Sequence, residues 1–118
     1  MPVTTKRLFL EIGTGNDLHG GDYTKAAIRA VEDAIHHSSL SLLHTLKLDP
    51  QKLEVDVLIG VQQPEKINPA AVKKALPHGQ ISVSAVKGGL DIRGDQPNDI
   101  AVIASAAISV RYDLASLA

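Results

Sequence analysis

The chain has 118 residues, 12 basic against 13 acidic side chains, and no cysteine; this fits one domain, residues 1–118, burying roughly two-thirds of its unfolded surface, and it excludes disulfides, thiolate metal sites and a cysteine nucleophile. A net charge of −1 leaves no electrostatic footprint for nucleic acid or an anionic membrane, and aromatic residues at 3% leave no platform for stacking bases. No apolar run approaches the roughly 20 residues that cross a bilayer, Met1 to Arg7 is short and polar, and the lack of cysteine suits a reducing compartment, so the expectation is a cytoplasmic protein with a core of Val, Ile, Leu and Ala.

Arg7 to Ile12 reads as a first strand, with Leu8, Leu10 and Ile12 on one face and Arg7, Phe9 and Glu11 on the other. Gly13 to Asp22 follows as a strand-to-helix loop holding four of the nine glycines, Gly13, Gly15, Gly20 and Gly21. Glycine lets a second backbone or a ligand come close. Asp22 or Thr24 caps a helix in which Ala26, Ala27, Ala30, Val31, Ala34 and Ile35 recur at helical spacing, with Lys25, Arg29, Glu32, Asp33 and His36 opposite. Its buried stripe is rich in alanine, which predicts a helix lying close to its sheet. Ser38-Ser39 interrupts it, Ser39 caps a second helical piece through Leu42, Leu43 and Leu46, and Asp49-Pro50 ends that piece.

Leu53 to Val61 is the second strand, with Val55, Val57, Ile59 and Val61 on one face. Strand, helix, strand makes the two strands parallel with a right-handed crossover. Asn68 caps and Pro69 opens a short helix to about Leu76, stopped by Pro77-His78-Gly79. Gln80 to Val86 is a third strand. Lys87 to Asp99 is a loop with a brief extended segment at Leu90-Asp91-Ile92, and Asp99 to Tyr112 is the last strand.

That last strand is apolar at Ile100, Val102, Ala104, Ala106, Ile108 and Val110, and small and mostly apolar on its other face, Ala101 to Ser109. A strand apolar on both sides is buried on both sides, whereas two helices cover only one face of a four-stranded sheet. The pattern predicts an α+β two-layer sandwich: a mixed four-stranded sheet in the order β-α-β-α-β-β, helices on one face, the other face in a homo-oligomer interface.

The run Gly13-Thr14-Gly15-Asn16-Asp17-Leu18-His19-Gly20 fits Gly-x-Gly-x-Asp-x-His-Gly. With Leu8 to Glu11 before it, Thr24-Lys25-Ala26-Ala27 after it, Val86 to Leu90 and Ala106 to Ile108, the chain resembles, over nearly its whole length, the Lin-type family of bacterial and plant conserved hypothetical proteins. That family has no established activity to carry over. The resemblance implies a compact α+β domain like the tubulin C-terminal or chorismate-mutase-like sandwiches, which form trimers with clefts between subunits.

The run is no dinucleotide fingerprint, because the third glycine would fall at Leu18, and no P-loop, because Gly21 and Asp22 stand where Lys and Ser/Thr are required. The N–H groups around Gly13, Gly15 and Gly20, the helix N-terminus and Lys25 favour an anion, while Asp17 and Asp22 repel a polyphosphate; a small carboxylate or carbonyl oxygen fits better. Asp17 and His19 form the candidate catalytic pair, the carboxylate fixing the imidazole's tautomer so that it accepts a proton. The structural alternative is that Asp17 satisfies loop N–H groups and His19 a carbonyl, both only shaping a turn. Asp17, His19 and Asp22 would be mixed ligands for a metal, but no further ligand announces itself, so no metal site is assigned. His36, His37, His44 and His78 read as surface residues, and Glu11 either reaches an inter-subunit cleft or pairs with Arg7. The reading is therefore a small homo-oligomeric enzyme or metabolite-binding protein, for a small polar metabolite, with its site at Gly13–Asp22. The alternative is a non-catalytic interaction module whose glycine loop only supports the fold. Neither a reaction nor a cofactor follows from the residues.

Overall fold

A computed structural model describes residues 5–36, 46–76 and 79–117. The elements run β1 (Thr5–Asp17), α1 (Tyr23–His36), β2 (Glu54–Val61), α2 (Pro69–Lys73), β3 (Gln80–Lys87), β4 (Leu90–Arg93) and β5 (Ile100–Asp113), with single 3-10 turns at Pro50–Lys52, Pro64–Lys66 and Leu114–Leu117. The α+β class and the mixed sheet are as expected. The sheet has five strands rather than four, in the order β1-β5-β2-β3, with β4 paired to β5. β5 is antiparallel to both β1 and β2, and β2 is parallel to β3. β1 and β2 therefore run the same way, as the strand-helix-strand reading requires, but the last strand lies between them.

The extra strand has a simple origin. The pairing of β2 with β5 stops at Gly60 opposite Ser105, which leaves the first residues of β5 without a neighbour on that side. Leu90 to Arg93 fills the gap, from Leu90 opposite Ile103 to Arg93 opposite Ile100. An alternating segment of four residues inside a polar loop is too short to compete as a strand from sequence alone.

The larger correction concerns the glycine run. β1 does not stop at Ile12 but continues through Gly13-Thr14-Gly15-Asn16-Asp17, paired with β5 as far as Asp17 opposite Val102. Gly13 and Gly15 do not form a turn. They lie beneath α1, where a Cβ on Gly13 would overlap the Ala30 carbonyl and the Ala34 amide, and one on Gly15 the Ala30 amide and the Ala26 carbonyl. The alanine-rich helix thus lies close to its sheet, as predicted, and glycine in the strand is the matching half of that close approach. Ala26, Ala27, Ala30, Val31 and Ala34 are wholly buried against it.

The core fills the helix-covered face, with Val55, Val57, Ile59 and Val61 of β2 beside Val102, Ala104 and Ala106 of β5. Leu10 and Ile12 point the other way and are exposed, Ile12 by 66%. A register irregularity between Arg7 and Phe9 breaks the alternation near the start of β1. α2 is capped by Asn68, whose side chain accepts from the Ala71 N–H with Pro69 in the first turn, and it ends at Lys73. The helical piece expected from Ser39 lies, up to Leu46, outside the described residues, as do His37, His44, Pro77 and His78. Among the described residues no helix is long and apolar enough to cross a membrane.

Candidate functional site

β1, β2 and β3 all end at the same edge of the sheet, where α1 begins and β5 starts. Residues 18–22 join β1 to α1 there and are tied to β5, the Gly21 N–H donating to the Ile100 carbonyl at 3.2 Å. Asp17, the last residue of β1, is only 6% exposed. Its Oδ2 accepts the Asp22 N–H at 3.0 Å. Its Oδ1 lies 3.7 Å from Lys25 Nζ and 3.9 Å from Arg29 Nη1. The Asp22 N–H above all holds this carboxyl below the ordinary carboxylate range, with Lys25, Arg29 and the Gly20 N–H acting the same way against the opposing penalty of burial. Asp17 is thus an ionised acceptor around which the turn closes.

Asp22 is the helix cap, its Oδ1 accepting the Lys25 N–H at 3.0 Å. Arg29 donates from Nη1 to the Asn16 carbonyl at 2.7 Å, over the edge of β1. Next to these groups an open depression of about 500 Å³ is walled by Asn16 to Gly20 on one side and by Asp22, Lys25 and Arg29 on the other. That volume is in the range of small-molecule sites.

The structure separates the expected pair. Asp17 turns inward to main-chain partners, while the His19 side chain is 86% exposed and its Nδ1 stands 3.3 Å from Asp99 Oδ1. Geometry explains the difference: Asp17 is on the covered face of a strand, and His19 lies beyond the strand's end, level with the turn before β5. Among the described residues no group of three or more His, Cys, Asp or Glu could hold a metal ion, so Asp17, His19 and Asp22 do not converge as ligands. Gly20 and Lys25 line the depression; Gly13 and Gly15 do not, since they are packed under α1.

A second polar cluster went unread in the sequence. The Tyr23 hydroxyl, at the start of α1, donates to Asp91 Oδ2 on β4 in a very short hydrogen bond, and Gln63 Nε2 donates to the same hydroxyl at 2.9 Å. Lys66 Nζ sits 5.9 Å from the Tyr23 ring centroid. Burial first, then the Asp91 hydrogen bond and charge, raise the Tyr23 hydroxyl above its ordinary range; Gln63 and Arg93 oppose them. Asp91 Oδ1 is buried and has no hydrogen-bond partner among the described residues. The one available signal was the Leu90-Asp91-Ile92 alternation, which turns Asp91 to the face opposite its neighbours.

The family model for conserved hypothetical proteins of the Lin0512 family matches residues 7–110, from β1 almost to the end of β5. The chain belongs to the Lin0512 family. The match spans the whole depression and both polar clusters of this Lin0512 protein. Its fold is also that of a crystal structure described as an FtsZ-like protein of unknown function from Nostoc punctiforme PCC 73102, which is 32% identical, covers 95% of this chain and 99% of its own, and superposes with a TM-score of 0.83. No curated protein matches the chain.

Proposed function

We propose that this Lin0512-family protein is a small homo-oligomeric metabolite-binding protein or enzyme of the cytoplasm, its ligand held in the depression beside Asp17. The observation that carries the reading is the arrangement of charge on that wall. A buried, ionised carboxylate draws Lys25 and Arg29 together, yet their side chains remain 53% and 47% exposed, and both line the depression. Two cations held side by side favour a small carboxylate through charge-assisted hydrogen bonds. Asp17 and Asp22 argue against a polyphosphate. In this reading His19 is the proton acceptor and Asp99, rather than Asp17, orients it.

A panel of small mono- and dicarboxylates and inorganic phosphate, screened by thermal shift and calorimetry, tests this. A carboxylate is expected to bind, and Lys25→Ala to weaken it at least about tenfold, or roughly 1.4 kcal/mol, while the fold and melting temperature are kept. His19→Gln should retain binding and lose any turnover. Equal binding by wild type and Lys25→Ala would remove the depression as the site.

A second reading is favoured by Asp17 itself, whose Oδ2 is spent on the turn's own N–H groups: the loop supports the fold of an interaction module and takes no ligand. It expects Asp17→Asn to lower stability and no carboxylate in the panel to bind.

A further inference from the structure

One face of the sheet is covered by α1 and α2; no helix of the described residues covers the other, and it is there that apolar surface collects. Of the nine large hydrophobic side chains exposed among the described residues, six are on this face: Leu10, Ile12, Leu58, Val86, Leu90 and Ile92. Strand register sets them in rows. Ile12, Ala107, Leu58 and Ser84 make one; Thr14, Ser105, Gly60 and Val86 the next; Asn16, Ile103 and Leu90 a third; Ala101 and Ile92 the last. None of these four rows carries a charge. The charges lie at the other end, where Arg111 Nε stands 3.5 Å from Asp56 Oδ2 and Ser82 donates to Asp56 Oδ1 at 2.7 Å, so Asp56 is already matched within the chain.

We infer that this face is covered by another copy of the chain. Two arguments select that occupant. The first is area. β1 and β5 have 13 and 14 residues, β2 and β3 eight each and β4 four, so at about 3.3 Å per residue and about 4.8 Å between strands the whole face, its charged end included, measures on the order of 700 Å², close to what each partner contributes to a stable interface. The second is complementarity. A face without net charge in its four apolar rows offers nothing to a basic or acidic partner. In its first two rows it has small residues, Ser105 and Ala107, on the middle strand and larger ones to the sides, Ile12 on one and Leu58 and Val86 on the other, and Ile103 closes the trough in the third row. A trough between two ridges is a surface that a second copy of itself can fill, and closed homo-oligomers form by such self-matching patches. The inference deepens the homo-oligomeric part of the proposed function and does not depend on a ligand. Asn16 lies in the third row and also walls the depression, so the covered face and the depression share a border.

Light scattering after size exclusion, on the full chain without added ligand and from micromolar to hundreds of micromolar, tests it. Wild type should have the mass of two or more chains. The double variant Ile12→Glu/Leu58→Glu should fall to the mass of one chain while keeping its circular dichroism and a cooperative melt. Ile92→Lys, at the other end of the face, should cause the same loss independently, so that misfolding of either variant does not decide the matter. Leu114→Glu, exposed but off the face, should keep the wild-type mass. A monomeric wild type, or an assembly that survives both face variants, overturns the inference. So does a monomer that adheres to neutral phosphatidylcholine vesicles, which would assign the face to lipid. Because assembly is read without ligand, its failure is distinct from failure of the carboxylate reading.

Discussion

The two faces of the sheet are built from similar residues and meet different fates. Along β5, Val102, Ala104 and Ala106 are sealed under α1, while Ile103, Ser105 and Ala107, one residue over, look out from the open face. Along β2, Ile59 is completely buried and Leu58 is 44% exposed. Hydrophobicity alone therefore does not say where a residue goes in this protein. The close fit of glycine and alanine between β1 and α1 decides which face is the core, because only that face lets a helix backbone settle against the strand. The open face presents large side chains on its flanks, Leu10 and Ile12 among them, and no helix of the described residues lies on it.

The strongest test of that contrast is to remove the fit. Gly15→Val should place its side chain in the α1 backbone and cost upward of about 4 kcal/mol, enough to leave little folded protein by circular dichroism. Thr14→Val, next to it on the open face, should fold normally. Truncation on the two faces should then separate by burial. Ile59→Ala is expected to cost about 2–5 kcal/mol in urea unfolding, and Leu58→Ala, measured in the Ile92→Lys background expected to keep the chain dissociated, less than about 1 kcal/mol. Similar losses at both positions would mean that the open face is closed within the chain.

The polar groups at the edge of the covered face extend the comparison to pH. Tyr23→Phe removes the donor to Asp91 and the acceptor for Gln63 and should cost about 1–3 kcal/mol. The Tyr23 hydroxyl titrates above its ordinary value of 10.0, so its contribution is present below that pH and disappears as the pH climbs through the folded-state value; the variant should lose that alkaline decline. Asp17→Asn gives the opposite sign and a smaller effect. Its carboxyl lies below the ordinary 3.8, so the stabilisation is present above that value and is lost as pH falls through the folded-state one. The variant should be about 1–2 kcal/mol less stable at neutral pH, with a flatter acid limb in urea titrations between neutrality and strongly acidic solution.

How much of this was legible beforehand differs from element to element. Period-two runs at Glu54–Val61, Gln80–Lys87 and Ile100–Asp113, the helical stripe of Tyr23–His36 and the Asn68-Pro69 helix start were all readable, because each is a local pattern whose signal lies within one segment. The candidate site was half readable. Asp17, His19, Gly20 and Lys25 do border one depression, since they are near one another in the chain, but the partnership proposed for them was not the one that forms.

The sequence by itself determined the elements, their approximate limits and the excess of apolar residues over what two helices can cover, since side-chain pattern and backbone preference are properties of a few adjacent residues. Tertiary structure alone decided that Gly13 and Gly15 belong to a strand, because glycine accepts both extended and turned backbone and only the approach of α1 selects between them. It also decided that β5 separates β1 from β2, and that the carboxylates meeting His19 and Tyr23 are Asp99 and Asp91, which lie 80 and 68 residues further along the chain. Contacts at that separation are set by how the sheet closes, and no local pattern encodes them.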